Sequence, residues 1–189
     1  MKSAVILGAS GSVGRVVTQH FSKLGWRVFC LDIAHPPALP PNSSYIPVEY
    51  ATLSDDDLLH SKITSRLPPA SLVLSVAGGW AGGGVKSSSF CSDVQRCMGQ
   101  NITSAAAAAA ISSKLLQANG LLVLTGSAAG LSPSSSMIAY ATTKSALHFM
   151  VESRIPQPRN PQFDPGFKPQ FNPGFSSNPR FMCRCKAWL

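Results

Sequence analysis

Up to about residue 150, short apolar runs alternate with longer stretches that mix apolar and polar residues at helical spacing. The runs are SAVILGAS (3–10), WRVFCLDI (26–33), SYIPVEY (44–50), SLVLSVAGG (71–79) and GLLVLTGS (120–127). Each is continuous rather than alternating, as in strands buried on both faces of a parallel sheet. Between them, 12–24, 88–117 and 137–152 have helical composition or spacing. Strand and helix in turn predict an α/β fold with a doubly wound parallel sheet. The run Ala105 to Ala110 favours helix, either as filler or as a thin face for close packing. HPPALPPNSS (35–44) reads as a loop, and SDDDLLH (54–60) as a helix start capped by Ser54, with acids in the first turn.

After Glu152 the pattern changes abruptly. PQFDPGFK is followed by PQFNPGFS, and N-P-x-F recurs. Proline at this density excludes helix interiors and sheet ladders. The chain therefore divides into one domain, 1–152, and a Pro-rich tail, 153–189, expected to be disordered.

Composition changes this picture little, but charge sharpens it. The net charge of +8 is uneven: residues 1–152 hold ten Lys/Arg against seven Asp/Glu, and residues 153–189 hold six against one. Basicity can signal nucleic acid or membrane. Here it belongs mostly to the tail, whose cations are scattered among prolines with no amphipathic face, so neither partner is expected. No apolar run has the roughly 18 residues of a membrane span, and the N-terminal run enters a glycine turn at once, unlike a secretory leader. A cytoplasmic location follows as an expectation. Five unevenly spaced cysteines (Cys30, Cys91, Cys97, Cys183 and Cys185) do not suggest a disulfide framework. The four histidines (His20, His35, His60 and His148) lack metal-ligand spacing, so no metal is expected; His148 packs or faces solvent.

ILGASGSVGRVV sets Gly8, Gly11 and Gly14 directly after a strand and at the opening of a helix. Glycine permits the tight turn and lets backbone approach a pyrophosphate, which rests on the N–H groups of the helix start, here Ser12, Val13 and Gly14. The next strand ends in Asp32, followed by Ile33. A carboxylate there accepts from ribose hydroxyls and repels a 2′-phosphate, which favours NADH over NADPH; the other reading of Asp32 is a solvated loop acid. YATTK places Tyr140 and Lys144 on one helix face. A neighbouring ammonium favours a phenolate and suits such a pair to acid–base work. Ser127, thirteen residues earlier, ends a strand at the edge where open sheets bind ligands. It either bonds substrate or simply caps the strand. Asn101 either approaches the same region or bends its helix.

Together, in order and at these separations, the glycine turn, Asp32, Asn101, Ser127, Tyr140 and Lys144 resemble the short-chain dehydrogenase/reductase family. Within it, VAGGWAGGGVKSSSF (76–90) resembles the pteridine-reducing branch, where most relatives carry N-N-A-G; NGLLVLTGSAAGL and MIAYATTKSALH agree. The resemblance spans about residues 3–150 and implies a Rossmann-like fold and NADH-dependent reduction of a quinonoid dihydropteridine. It implies Tyr140 as proton donor or acceptor, Lys144 beside it and on the nicotinamide ribose, and Ala77 and Gly78 along the cofactor. Trp80 would lie at the pterin pocket, or else serve as a lid or core aromatic. The resemblance also implies a homodimer that pairs the helix of Tyr140. Members of the family continue past that helix with two further strands and their helices; nothing in 153–189 resembles them. A nucleotide-binding or dimerising fragment without turnover is the alternative.

Overall fold

A computed structural model describes residues 1–153. The expectations for the Pro-rich tail and for Cys183 and Cys185 fall on residues outside these. Five parallel strands, β1 (Ser3–Leu7), β2 (Arg27–Asp32), β3 (Ser43–Pro47), β4 (Ala70–Ser75) and β5 (Leu116–Leu124), form one sheet in the order β3-β2-β1-β4-β5. The helices are α1 (Ser12–Lys23), α2 (Tyr50–Leu53), α3 (Asp56–Lys62), α4 (Phe90–Cys97), α5 (Ser104–Leu115) and α6 (Ile138–Glu152).

The continuous apolar run of β1 is explained by its place at the centre, where all five residues are buried. Successive side chains point to opposite faces. Val5, Leu7, Phe29, Leu31 and Val73 therefore meet Leu59 and Ile63 on one side, with Ala107, Ala108 and Ile111 of α5. Ala4, Ile6, Val28, Cys30, Leu72 and Leu74 meet Val17 and Phe21 of α1 on the other. The alanine run thus brings α5 close to the sheet, with Ala107 and Ala108 fully buried and Ala106 facing out.

Several expectations are corrected. β3 is an edge strand in which no residue is buried, not one buried on both faces; its Pro47, which has no N–H, is tolerable at such a position. The helix expected over 88–117 is interrupted: a π-helical stretch, Met98–Thr103, separates α4 from α5, and Leu116 already belongs to β5. Ser54 does not cap α3. Asp55 does, its carboxylate accepting from Leu58 N–H at 2.9 Å, while the Ser54 hydroxyl turns back to the Tyr50 carbonyl. An ionised acceptor bonds the helix start more strongly than a hydroxyl.

The order of strands positions the site. The chain leaves β1 toward β2 on one side and returns to β4 on the other, so a crevice opens between the carboxyl ends of β1 and β4.

Candidate active site

The crevice is floored by the glycine turn. Gly8 has φ +84°, and a Cβ there would lie 2.4 Å from Ala77 N. A Cβ on Gly14 would lie 2.0 Å from the Gly8 carbonyl oxygen. Both contacts are with backbone, so only glycine fits and the first turn of α1 packs tightly on the end of β1. Gly11 has ordinary backbone angles and serves as the N-cap; no side chain caps the helix, and its first turn holds no acid. The leading N–H groups at Ser12, Val13 and Gly14 thus have no side-chain cap at the positive end of the helix dipole, beside the cleft but not among its lining residues. Asp32 closes the other wall. Its carboxylate accepts from Ser10 N–H at 2.8 Å and from Ala34 N–H at 3.2 Å, which ties the end of β2 to the glycine turn. Gly8, Gly11, Asp32, Ile33, Ala77 and Gly78 all line one cleft of about 350 Å³, along with Tyr50, Gln100 and Ser104. An uncapped helix start, a glycine floor and a braced carboxylate together fit a dinucleotide's pyrophosphate and ribose.

Gly78 marks the far end. A Cβ there would lie 2.7 Å from Asn101 Oδ1 and 3.5 Å from Lys144 Nζ. Neither Lys144 nor Tyr140 lines the cleft itself; Lys144, behind Gly78, is 4% exposed and donates to the Thr125 carbonyl at 2.8 Å. Burial pushes the Lys144 ammonium below its ordinary range, and the neighbouring Cys97 thiol opposes that pull. Burial likewise pushes Cys97 up. The ammonium stands 5.7 Å from the centre of the Tyr140 ring, and that half-buried ring packs on Ala81, Cys97 and Ala139.

Asn101, expected among the catalytic groups, is fully buried on the π-helical stretch. Its Oδ1 accepts from Gly79 N–H at 3.0 Å; its Nδ2 donates to the Gly79 carbonyl at 3.1 Å and to Thr143 Oγ1 at 2.9 Å. Every polar atom of the side chain is satisfied within the protein. Ser127 lies just past β5, and its hydroxyl accepts from Ala129 N–H at 3.2 Å, capping a short 3-10 turn. Trp80 is 64% exposed, lies over Gly82 and stands outside the cleft.

Three contributors escape a reading of the sequence. Thr143 relays between Asn101 and the Tyr140 carbonyl. The Thr125 carbonyl holds Lys144. His148 does not merely pack: its Nε2 lies 2.9 Å from the Ser127 carbonyl oxygen, and its ring fills the space beside Gly126. The only signal for His148 is that it follows Lys144 by one helical turn. Among the described residues no group of three or more His, Cys, Asp or Glu is placed to hold a metal.

The sequence profile of short chain dehydrogenases matches residues 2–155, and the chain belongs to that family. Within it, the chain is similar to the dihydropteridine reductase of Dictyostelium discoideum, with 33% identity over 152 residues that make up 80% of this chain. The match spans 64% of that relative's length. A short chain dehydrogenase family protein from Francisella tularensis shares the fold at a TM-score of 0.69 and 17% identity, over 81% of this chain and 62% of that one. BdcA, solved in complex with NADPH, aligns at a TM-score of 0.62 and 20% identity, over 81% of this chain and 64% of its own.

Proposed function

We propose that the chain binds a nicotinamide dinucleotide, NADH in preference to NADPH, and reduces a quinonoid dihydropteridine to its tetrahydro form. The observation that carries this reading is Gly78, which lines the cofactor cleft and lies against Lys144. Gly78 stands between the cleft that holds Asp32 and the Tyr140–Lys144 pair just beyond it, which supports a cofactor reaching from one to the other.

The bound dinucleotide supplies a hydride. The protein's own residues do the rest. The α1 N–H groups hold the pyrophosphate, and Asp32 accepts from the adenosine ribose hydroxyls. Lys144, aligned by the Thr125 carbonyl, holds the nicotinamide ribose and stabilises charge on the Tyr140 oxygen while the phenol gives its proton to the pterin. The cap uses the acceptor side of Ser127 Oγ and leaves its proton free to donate to substrate. Asn101 acts as a positioning residue that ties the Gly79 loop to α6 through Thr143. Trp80 offers an indole face on which a flat heterocycle stacks. Dimerisation through α6 is supported by Phe149, 72% exposed near its end. A cytoplasmic setting is supported by Cys91, exposed and without a disulfide partner among the described residues. A second reading, nucleotide binding without turnover, is favoured by the cofactor cleft's being lined by neither Tyr140 nor Lys144.

The choice of substrate is tested by comparing kcat/KM for quinonoid dihydropterin with that for simple aldehydes and ketones under NADH. A preference for the pterin of at least about a hundredfold is expected, as a stacked and hydrogen-bonded heterocycle gains several kcal/mol over a lone carbonyl. Equal or higher values for the carbonyls would overturn the pteridine assignment and leave the cofactor assignment standing.

A further inference from the structure

We propose that His148 is a positioning residue, which sets the place of the Ser127 hydroxyl for its donation to substrate. The inference rests on the reductase reading above and adds to it the group that aims that donor. Tyr140, Lys144 and His148 follow one another at intervals of four, so they lie along one side of α6. The first handles the proton; the other two grip the chain as it leaves β5. Lys144 Nζ donates to the Thr125 carbonyl at 2.8 Å, and His148 Nε2 lies 2.9 Å from the Ser127 carbonyl oxygen. The two grips match in length. Four residues of helix rise about 6 Å, and two residues of extended chain advance about 6.6 Å. Ser127 has that extended backbone, with φ −156° and ψ 145°. A further hydrogen bond, from Ser145 Oγ to the Gly130 carbonyl at 2.6 Å, ties the end of the turn to the same helix.

The imidazole meets Ser127 at its backbone. Ser127 N–H lies against the same ring nitrogen at 3.4 Å. The shorter contact assigns the ring proton to Nε2, which donates to the carbonyl. That carbonyl also accepts from Gly130 N–H at 3.0 Å, and the Ser127 hydroxyl accepts from Ala129 N–H at 3.2 Å. The hydroxyl is thus fixed to its own turn, and the turn is fixed to α6 through the ring. Gly126 leaves the ring its room: a Cβ there would lie 2.8 Å from His148 Cε1 and 3.1 Å from Nε2.

The experiment measures kcat for quinonoid dihydropterin under saturating NADH in the full chain and its variants. His148→Leu fills much of the space but has no donor. It should lower kcat at least about tenfold, since about 1 Å of misplacement costs up to a hundredfold, while the Kd for NADH holds. His148→Gln, whose amide N–H reaches the same carbonyl, should restore kcat to within about threefold of the parent. In a Ser127→Ala background, His148→Leu should lower kcat by less than about twofold, because residues that act as a unit are not additive. A loss that persists in that background would overturn the proposal, as would a parent-like kcat in His148→Leu. Absence of turnover in the parent would overturn the reductase reading and this inference together, which separates the two failures. Circular dichroism identifies a leucine variant that fails to fold. Gly126→Ala, which pushes the ring aside, then decides by the same comparison against Ser127→Ala.

Discussion

Asp32→Ala should invert the cofactor preference. The carboxylate is braced by Ser10 N–H at 2.8 Å and Ala34 N–H at 3.2 Å, and its remaining lone pairs face the cleft. Hydrogen bonds to a charged acceptor contribute about 1.5–3 kcal/mol. Asp32 is half-buried, so water recovers part of this, and a loss of about 1.5 kcal/mol, tenfold in Kd, is expected for NADH. For NADPH the sign reverses. A unit charge pair 4 Å apart near a protein surface interacts by about 4 kcal/mol, and screening at a partly exposed site reduces this to about 1–2. Removing that repulsion should tighten NADPH by roughly tenfold, so that the ratio of the two constants moves about a hundredfold. Titration of nicotinamide fluorescence measures both constants, and the NADPH gain should shrink as salt is raised. Parallel weakening of both cofactors would refute the reasoning, because Asp32 would then act only as a brace for the turn.

Three further outcomes follow from the same geometry. Asn101→Ala leaves the part-buried Gly79 N–H and carbonyl without their partner, while Thr143 Oγ1 keeps its bond to the Tyr140 carbonyl, so urea denaturation should show a loss of about 1–3 kcal/mol; Asn101→Asp should not restore it, since it buries a charge and removes both donors. Gly14→Ala sets a methyl 2.0 Å from a backbone oxygen, and it should cost about 1–3 kcal/mol of stability and abolish NADH binding measured by fluorescence. Lys144 has a folded-state pKa below its ordinary value near 10.5. The unfolded chain therefore binds more protons between the two values, and stability should rise with pH across that window; Lys144→Met should flatten the rise in urea melts taken from neutral to alkaline pH.

The central strands and cofactor turn were legible because local chemistry dictates them. β1 is apolar at every position because it is buried on both sides, and Gly8 and Gly14 are fixed by backbone contacts that no other residue survives. The break in the 88–117 helix was not legible. Gln100, Asn101 and Ile102 are compatible with a helix, and what fixes the π-helical stretch around them is the grip of Asn101 on Gly79, 22 residues earlier. The choice of Asp55 over Ser54 as cap rests on a single residue of register, which composition does not set. The exposure of β3 depends on where the sheet stops. His148 met Ser127 across 21 residues, and no spacing rule anticipates such a contact.

Oxidation of NADH by the purified chain in the presence of quinonoid dihydropterin, with Tyr140→Phe alongside, decides whether the chain is a pteridine reductase. Turnover should fall by about 10²–10⁴-fold in the variant, as loss of a positioned proton donor does, with NADH affinity unchanged. Tight NADH binding with no turnover in the parent, or turnover that Tyr140→Phe leaves intact, would contradict that reading.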